Sequence, residues 1–171
     1  LDHMRSRGVT TVEIKSGYGL DPKTELMMLE AAAPQHHTVS VVRTFLGAHT
    51  VPAEYRQNRS AYVDQIINQQ LPLCAPHADF VDVYCDRGAF DLDEAIAILS
   101  AGKELGLKVR AHAEQVSYTG IAEAAANLGA TALDHLECID DAGIAAMAAA
   151  GTVAVLLPGA QLYLKDEAPP V

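Results

Sequence analysis

Leu107-Lys108-Val109-Arg110-Ala111-His112 is the stretch on which the architecture turns. Its odd positions are apolar, while its even positions carry Lys, Arg and His. A β-strand sends successive side chains to opposite faces, so this run offers one face to a core and the other to charge. The pattern recurs elsewhere. Val81, Val83 and Cys85 oppose Asp82 and Tyr84; Glu13 and Lys15 share a face; by simple alternation Arg43 shares its face with His49. An open parallel sheet with helices on both sides is apolar on both faces. A barrel whose lumen holds Glu13, Arg43, Asp82 and Arg110 in pairs fits better, with Arg43 and Asp82 as the expected pair. The competing reading puts these strands at a solvated edge.

Working outward, short β-branched runs alternate with helical ones. Strands are predicted at Thr10–Ile14, Val39–Leu46, Phe80–Cys85, Leu107–Ala111, Thr131–Asp134 and Thr152–Leu157. Asp21-Pro22 opens a helix as cap and first-turn proline. Asp91 and Glu94 form a capping box, and Gly106 stands where that helix should end. Further helices are predicted over Ser117–Asn127, stopped by Gly129, and Asp141–Ala150, stopped by Gly151. Short connections between alternating elements imply parallel strands joined by right-handed crossovers. No GxGxxG or GxxxxGK[ST] follows a strand, so nucleotide binding has no local support. Spacing alone leaves a barrel and an open doubly wound sheet both standing.

With 171 residues, half of them apolar, the chain can bury one core. A formal charge of −10 opposes nucleic-acid and anionic-membrane partners. Cys74, Cys85 and Cys138 are odd in number and form no CxxC, which argues against a disulfide framework or zinc knuckle and for free thiols in a reducing cytosol. No leader is visible, and no apolar run nears the roughly 20 residues of a membrane span. A cytoplasmic location is expected.

In a parallel barrel the C-terminal strand ends build the site. Here they supply Ser16-Gly17-Tyr18-Gly19, Gly47-Ala48-His49, Asp86-Arg87-Gly88, His112-Ala113-Glu114-Gln115, Asp134-His135-Leu136-Glu137 and Pro158-Gly159. A lone histidine at a strand end is usually a satisfied polar residue, but three converging on one mouth suggest chemistry. Imidazole binds zinc or iron, and a second imidazole nearby can move a proton. His3, His36-His37 and His77 fall toward the opposite end and are read as surface residues.

Five segments carry a more specific signal: Thr11–Leu20 (TVEIKSGYGL), Thr44–His49 (TFLGAH), His112–Gln115 (HAEQ), Asp134–Glu137 (DHLE) and Val153–Ala160 (VAVLLPGA). In this order and spacing they resemble the imidazolonepropionase family of the amidohydrolase superfamily, along nearly the whole chain. The resemblance implies a metal-dependent (β/α)8 TIM-type barrel beside a small β-domain. It also implies hydrolytic opening of 4-imidazolone-5-propanoate to N-formimidoyl-L-glutamate, in histidine degradation. By position it makes His112 a metal ligand and His135 the group that helps activate water. Tyr18 and His49 would hold the imidazolone and its propanoate tail. Gln115 stands at a substrate-contacting position, also catalytic, that some relatives fill with Glu; an amide cannot give up a proton as an acid does. One zinc or iron ion is implied for a full-length enzyme, with a homodimer as the expected assembly.

The family also carries a His-x-His metal pair on its first strand and a metal-binding Asp on its eighth, and neither has a counterpart in this sequence. Residues 1–171 are therefore expected to form a single incomplete barrel domain, about strands 2–7, lacking the first and last strands and the β-domain. Such a piece should not hold metal tightly or turn over alone, and its two bare sheet edges should invite pairing. Two other readings stay open: a related amidohydrolase acting on another cyclic amide or an aminated ring, and a non-catalytic assembly module.

Overall fold

A computed structural model describes residues 1–33 and 39–170; the His36-His37 pair lies outside the described residues. Six strands, β1 (Thr11–Lys15), β2 (Ser40–Ala48), β3 (Phe80–Cys85), β4 (Lys108–Ala113), β5 (Ala132–His135) and β6 (Val153–Val155), pair in parallel in chain order. The helices are α1 (Asp2–Arg5), α2 (Pro22–Ala31), α3 (Arg59–Gln65), α4 (Leu71–Cys74), α5 (Leu92–Glu104), α6 (Ile121–Leu128), α7 (Asp141–Ala150) and α8 (Pro158–Leu164). Among the described residues no helix is long and apolar enough to cross a membrane.

The sheet curls. In a flat sheet β1 and β5 would lie roughly 19 Å apart, at about 4.8 Å per strand. Lys15 of β1 nevertheless bonds Asp134 of β5 at 2.8 Å, and Arg110 of β4 lies 3.4 Å from Glu13 of β1. These side chains meet across a concave face, so the expected α/β partial barrel is what the chain forms. The convex face holds the core: Phe45, Val81, Val83, Val109 and Leu133 pack with Leu29, Ile98 and Ile121, all almost fully buried.

Local signals explain most elements. Asp21 accepts from the Lys23 and Thr24 amides at 3.0 Å each, and Asp91 and Glu94 form the reciprocal box at 2.9 and 3.1 Å. Gly106 follows α5 at φ +88, where an L side chain would be strained. The strand predicted at Phe80–Cys85 forms with those bounds, the other strand ends move by one or two residues, and β6 is shorter. The helix predicted from Ser117 begins only at Ile121. Asp86 captures the Val116 amide at 2.8 Å and the Ser117 hydroxyl at 2.6 Å, which holds this stretch as a loop. The helical stretch from Ala53 to His77 was not anticipated. Its periodicity is broken by Gln65, Gln69 and Gln70 and by Pro72, and Ile66–Gln70 takes the wider π form just before that proline.

The Arg43 expectation is corrected. Phe45 pairs with Val81 and Ala48 with Val83, so three steps along β2 oppose two along β3. This bulge inserts one residue and reverses the alternation beyond it. Thr44 faces the lumen and bonds Glu13, which puts Arg43 on the other face. His49, past the bulge, is returned to the lumen side. Asp82 pairs with Lys15 instead, and three ion pairs of the network cross the lumen against two between adjacent strands.

Gly102 of α5 lies so close to β3 that an added Cβ would stand 2.6–2.9 Å from Val81 side-chain atoms. In an open helix Gly→Ala stabilises by up to about 1 kcal/mol. Here Gly102→Ala should destabilise by about 1–3 kcal/mol through overpacking, and adding Val81→Ala should recover part of that loss. Urea unfolding midpoints check this; a stabilised Gly102→Ala protein would contradict the packing.

Candidate functional site

Two layers occupy the concave face. The lower one is a charge network. Lys15 Nζ lies 2.5 Å from Asp82 Oδ2 and 2.8 Å from Asp134 Oδ2. Arg110 bonds Asp134 Oδ1 at 2.7 Å. Glu13 lies 3.6 Å from Lys15 and accepts from Thr44. His112 Nδ1 meets Asp82 Oδ1 at 3.0 Å. Asp82 is fully buried and Lys15 only 21% exposed, so each charge depends on its partners.

These contacts move the titrations. Burial alone would raise the Asp82 carboxyl, but the His112 ring and the Lys15 ammonium outweigh it and hold it far below the usual carboxylate range. Burial alone would lower Lys15, yet Asp82 and Asp134 prevail and raise it.

The upper layer is a row of rings at the strand ends. Tyr18 packs edge-on to His49 at 4.6 Å, His49 stands 6.4 Å from His112, and His112 stands 5.5 Å from His135, with Tyr84 5.8 Å from both His49 and His112. The sheet register produces the centre of this row, because His112 pairs with Tyr84 on one side and Asp134 on the other. Tyr18 is 74% exposed, but its loop is held. The buried Glu25 carboxylate accepts from the amides of Gly17, Gly19 and Leu20 at 2.7–3.0 Å. A cleft of about 340 Å³ opens here, lined by Tyr18, His49, Tyr84 and Arg87 among others. A larger one of about 490 Å³, around Arg59, Phe90 and Thr119, contains none of the histidines.

His135 and Leu136 both have left-handed backbones, at φ +82 and +77, a conformation that bulky residues keep only under constraint. His135 Nδ1 and Glu137 Oε2 are buried, 3.9 Å apart, and neither has a hydrogen-bond partner among the described residues. Burial and then His112 lower the His135 pKa, while burial raises Glu137. Gln115 lies in the loop after β4, where its carbonyl receives Cys138 Sγ; among the described residues no hydrogen bond joins its side chain to the ring row. Sequence reading missed Glu25 as the latch of the Tyr18 loop, and Lys15 as the hub of the network.

Among the described residues one group could coordinate a cation: ligand atoms of Asp82, His112 and Asp134 lie within 4.8 Å of one another. Lys15 Nζ already stands against both carboxylates, so an ion among all three would face an ammonium at close range. The donor that remains is His112 Nε2. Since a carboxylate only accepts, Nδ1 carries a proton toward Asp82, and in the neutral ring Nε2 is then the nitrogen with the lone pair, as in histidine ligands with carboxylate support.

The fold is part of a parallel (β/α) barrel that carries a row of rings at its strand ends. Two solved structures share the fold: the N6-methyl-AMP deaminase of Arabidopsis thaliana, with TM-score 0.60 and 9% identity over 74% of this chain and 36% of that one, and a Xaa-Pro dipeptidase, with TM-score 0.58 and 14% identity over 91% and 44%. No protein-family model matches the chain. Sequence comparison is sharper. Over its full length the chain is similar to imidazolonepropionases, being 51% identical to those of Shewanella sp. (strain ANA-3) and Shewanella oneidensis and 49% to that of Shewanella baltica. It spans 43% of the length of these relatives. The resemblance carried by five short motifs thus holds along the entire chain.

The network predicts a stability profile. A depressed Asp82 contributes stability above its unfolded value of about 3.9, and that share is lost as pH falls through the lower folded value. A raised Lys15 contributes fully below about 10.4 and loses its share as pH rises through the higher folded value. Urea stability measured across pH should therefore be flatter on its acid limb in Asp82→Asn and on its alkaline limb in Lys15→Met. Unchanged limbs would remove the network from the stability of the fold.

Proposed function

We propose that the chain is the central part of a metal-dependent hydrolase that opens the ring of 4-imidazolone-5-propanoate to N-formimidoyl-L-glutamate. On this reading residues 1–171 form one incomplete barrel domain of a cytoplasmic homodimer. The observation that carries it is the ring row: the three motif histidines, from three separate strand ends, stand within 6.4 Å steps of one another beside the Tyr18 loop.

His112 Nε2 would hold the ion. A zinc or iron ion there supplies Lewis acidity toward water and the ring carbonyl. His135 takes the proton from water, and it suits that task because burial favours its neutral form. It then returns the proton to the leaving ring nitrogen; Gln115, an amide, does not serve as the acid. Tyr18 and His49 hold the imidazolone and its propanoate in the 340 Å³ cleft. With burial lowering His49 as well, its imidazole acts as a neutral hydrogen-bonding partner.

Within these 171 residues only His112 of the implied ligand set is present, so the chain alone should hold far less than one ion. Elemental analysis that found about one tightly held ion per chain, lost in His112→Ala, would overturn this. In a chain of the relatives' full length carrying this segment, His112→Ala should lose metal and activity together. His135→Ala should lose turnover with metal retained. Tyr18→Phe should weaken substrate binding by roughly 0.5–1.5 kcal/mol, the value of one neutral hydrogen bond. Assay of imidazolone loss beside metal content separates these outcomes. Metal loss in His135→Ala would make His135 a ligand and favour a related amidohydrolase.

A further inference from the structure

Lys15 is the one residue of the network that touches the carboxylates on both β3 and β5, and one of those carboxylates holds His112. Asp82 divides its two oxygens: Oδ2 takes Lys15 at 2.5 Å and Oδ1 takes His112 Nδ1 at 3.0 Å. The ammonium is itself held from a second side by Asp134 at 2.8 Å, and Asp134 is held by Arg110. Asp82 therefore has little freedom to turn, since rotation would cost a bond to a cation that cannot follow it. The imidazole inherits this constraint. Its Nδ1 must donate, its plane is fixed at the strand end, and Nε2 is left as the free nitrogen.

We propose that Lys15 is a positioning residue for His112, acting through Asp82 to lock the ring in its Nδ1–H tautomer with Nε2 available to a metal. The proposal rests on the reading of His112 as a ligand. It adds that a lysine on the first strand of the sheet, in no contact with the ring, determines which nitrogen is offered.

The asymmetry of an amide provides the test. In Asp82→Asn one oxygen and one NH2 replace two acceptors. Lys15 can only donate, so it claims the oxygen and turns the NH2 toward His112. Nδ1 must then accept, and the ring proton moves to Nε2. Combining Asp82→Asn with Lys15→Met frees the oxygen for Nδ1–H and should restore the original tautomer. Imidazole 15N NMR of the metal-free chain at one neutral pH reads this directly, with His112 assigned by its replacement with Gln. The expected series is Nδ1–H in the unaltered chain, Nε2–H in Asp82→Asn, and Nδ1–H again in the double variant. A role confined to stability would not switch a proton between nitrogens and back. Retention of Nδ1–H in Asp82→Asn, or no reversion in the double variant, overturns the proposal. If Asp82→Asn does not fold, Lys15→Met alone is read: mixed tautomers, produced as the unanchored Asp82 turns away from the ring, support the mechanism, and an unchanged single Nδ1–H form refutes it.

Titration with Co2+ of a chain of the relatives' full length carrying this segment separates the two claims. Loss of carboxylate support typically lowers metal affinity 10–100-fold, and Asp82→Asn in that longer chain should show the drop. A tautomer switch without any change in Co2+ affinity would leave the Lys15 relay standing and remove His112 as the ligand.

Discussion

An ammonium group held between two carboxylates from strands that are not neighbours sets the shape of this protein. Lys15 on β1 reaches Asp82 on β3 and Asp134 on β5 at once, which only a curled sheet permits. With Arg110 and Glu13 it ties the first strand to the fourth and fifth across the concave face. Burying such charges is costly unless each is matched. The matching fixes the curvature that brings the strand ends, and the rings they carry, to one mouth. Fold and site are in this sense one construction.

Much of it was legible in the alternation of residues. Charged positions on successive strands showed that Glu13, Lys15, Asp82, Arg110 and His112 share a face, and that face proved to be the lumen. Partners were harder to read, because pairing across a curved sheet depends on curvature, which leaves no mark in any one strand. Arg43 failed for a different reason. The count of residues along β2 looked regular, but the bulge between Phe45 and Ala48 breaks it, and nothing in Phe45-Leu46-Gly47-Ala48 declares an extra residue except a glycine whose Cβ would strike Phe45 and Gln70.

The candidate site was legible where it follows strand ends and opaque where it depends on loops. Tyr18, His49, His112 and His135 emerged from position and motif, and the structure brings their rings into one row. The Glu25 latch did not emerge, since a helix glutamate that turns back to three loop amides looks like any first-turn acid. Nor did the His135–Glu137 approach, which requires two successive left-handed residues where β5 ends. The similarity to imidazolonepropionases runs through all of these pieces along the length of the chain, and the charge network explains how the histidine at the centre of the row is held.

The bulge in β2 has a consequence for how this sequence can change through descent. Removal of one residue between Phe45 and Ala48 would restore regular alternation and turn His49 toward the helices, away from Tyr18 and Tyr84. Over those few positions the number of residues is under stricter constraint than their kind. Loops commonly absorb insertions and deletions, whereas here gain or loss of a single codon would rotate a proposed binding residue out of reach without disturbing the strand that carries it.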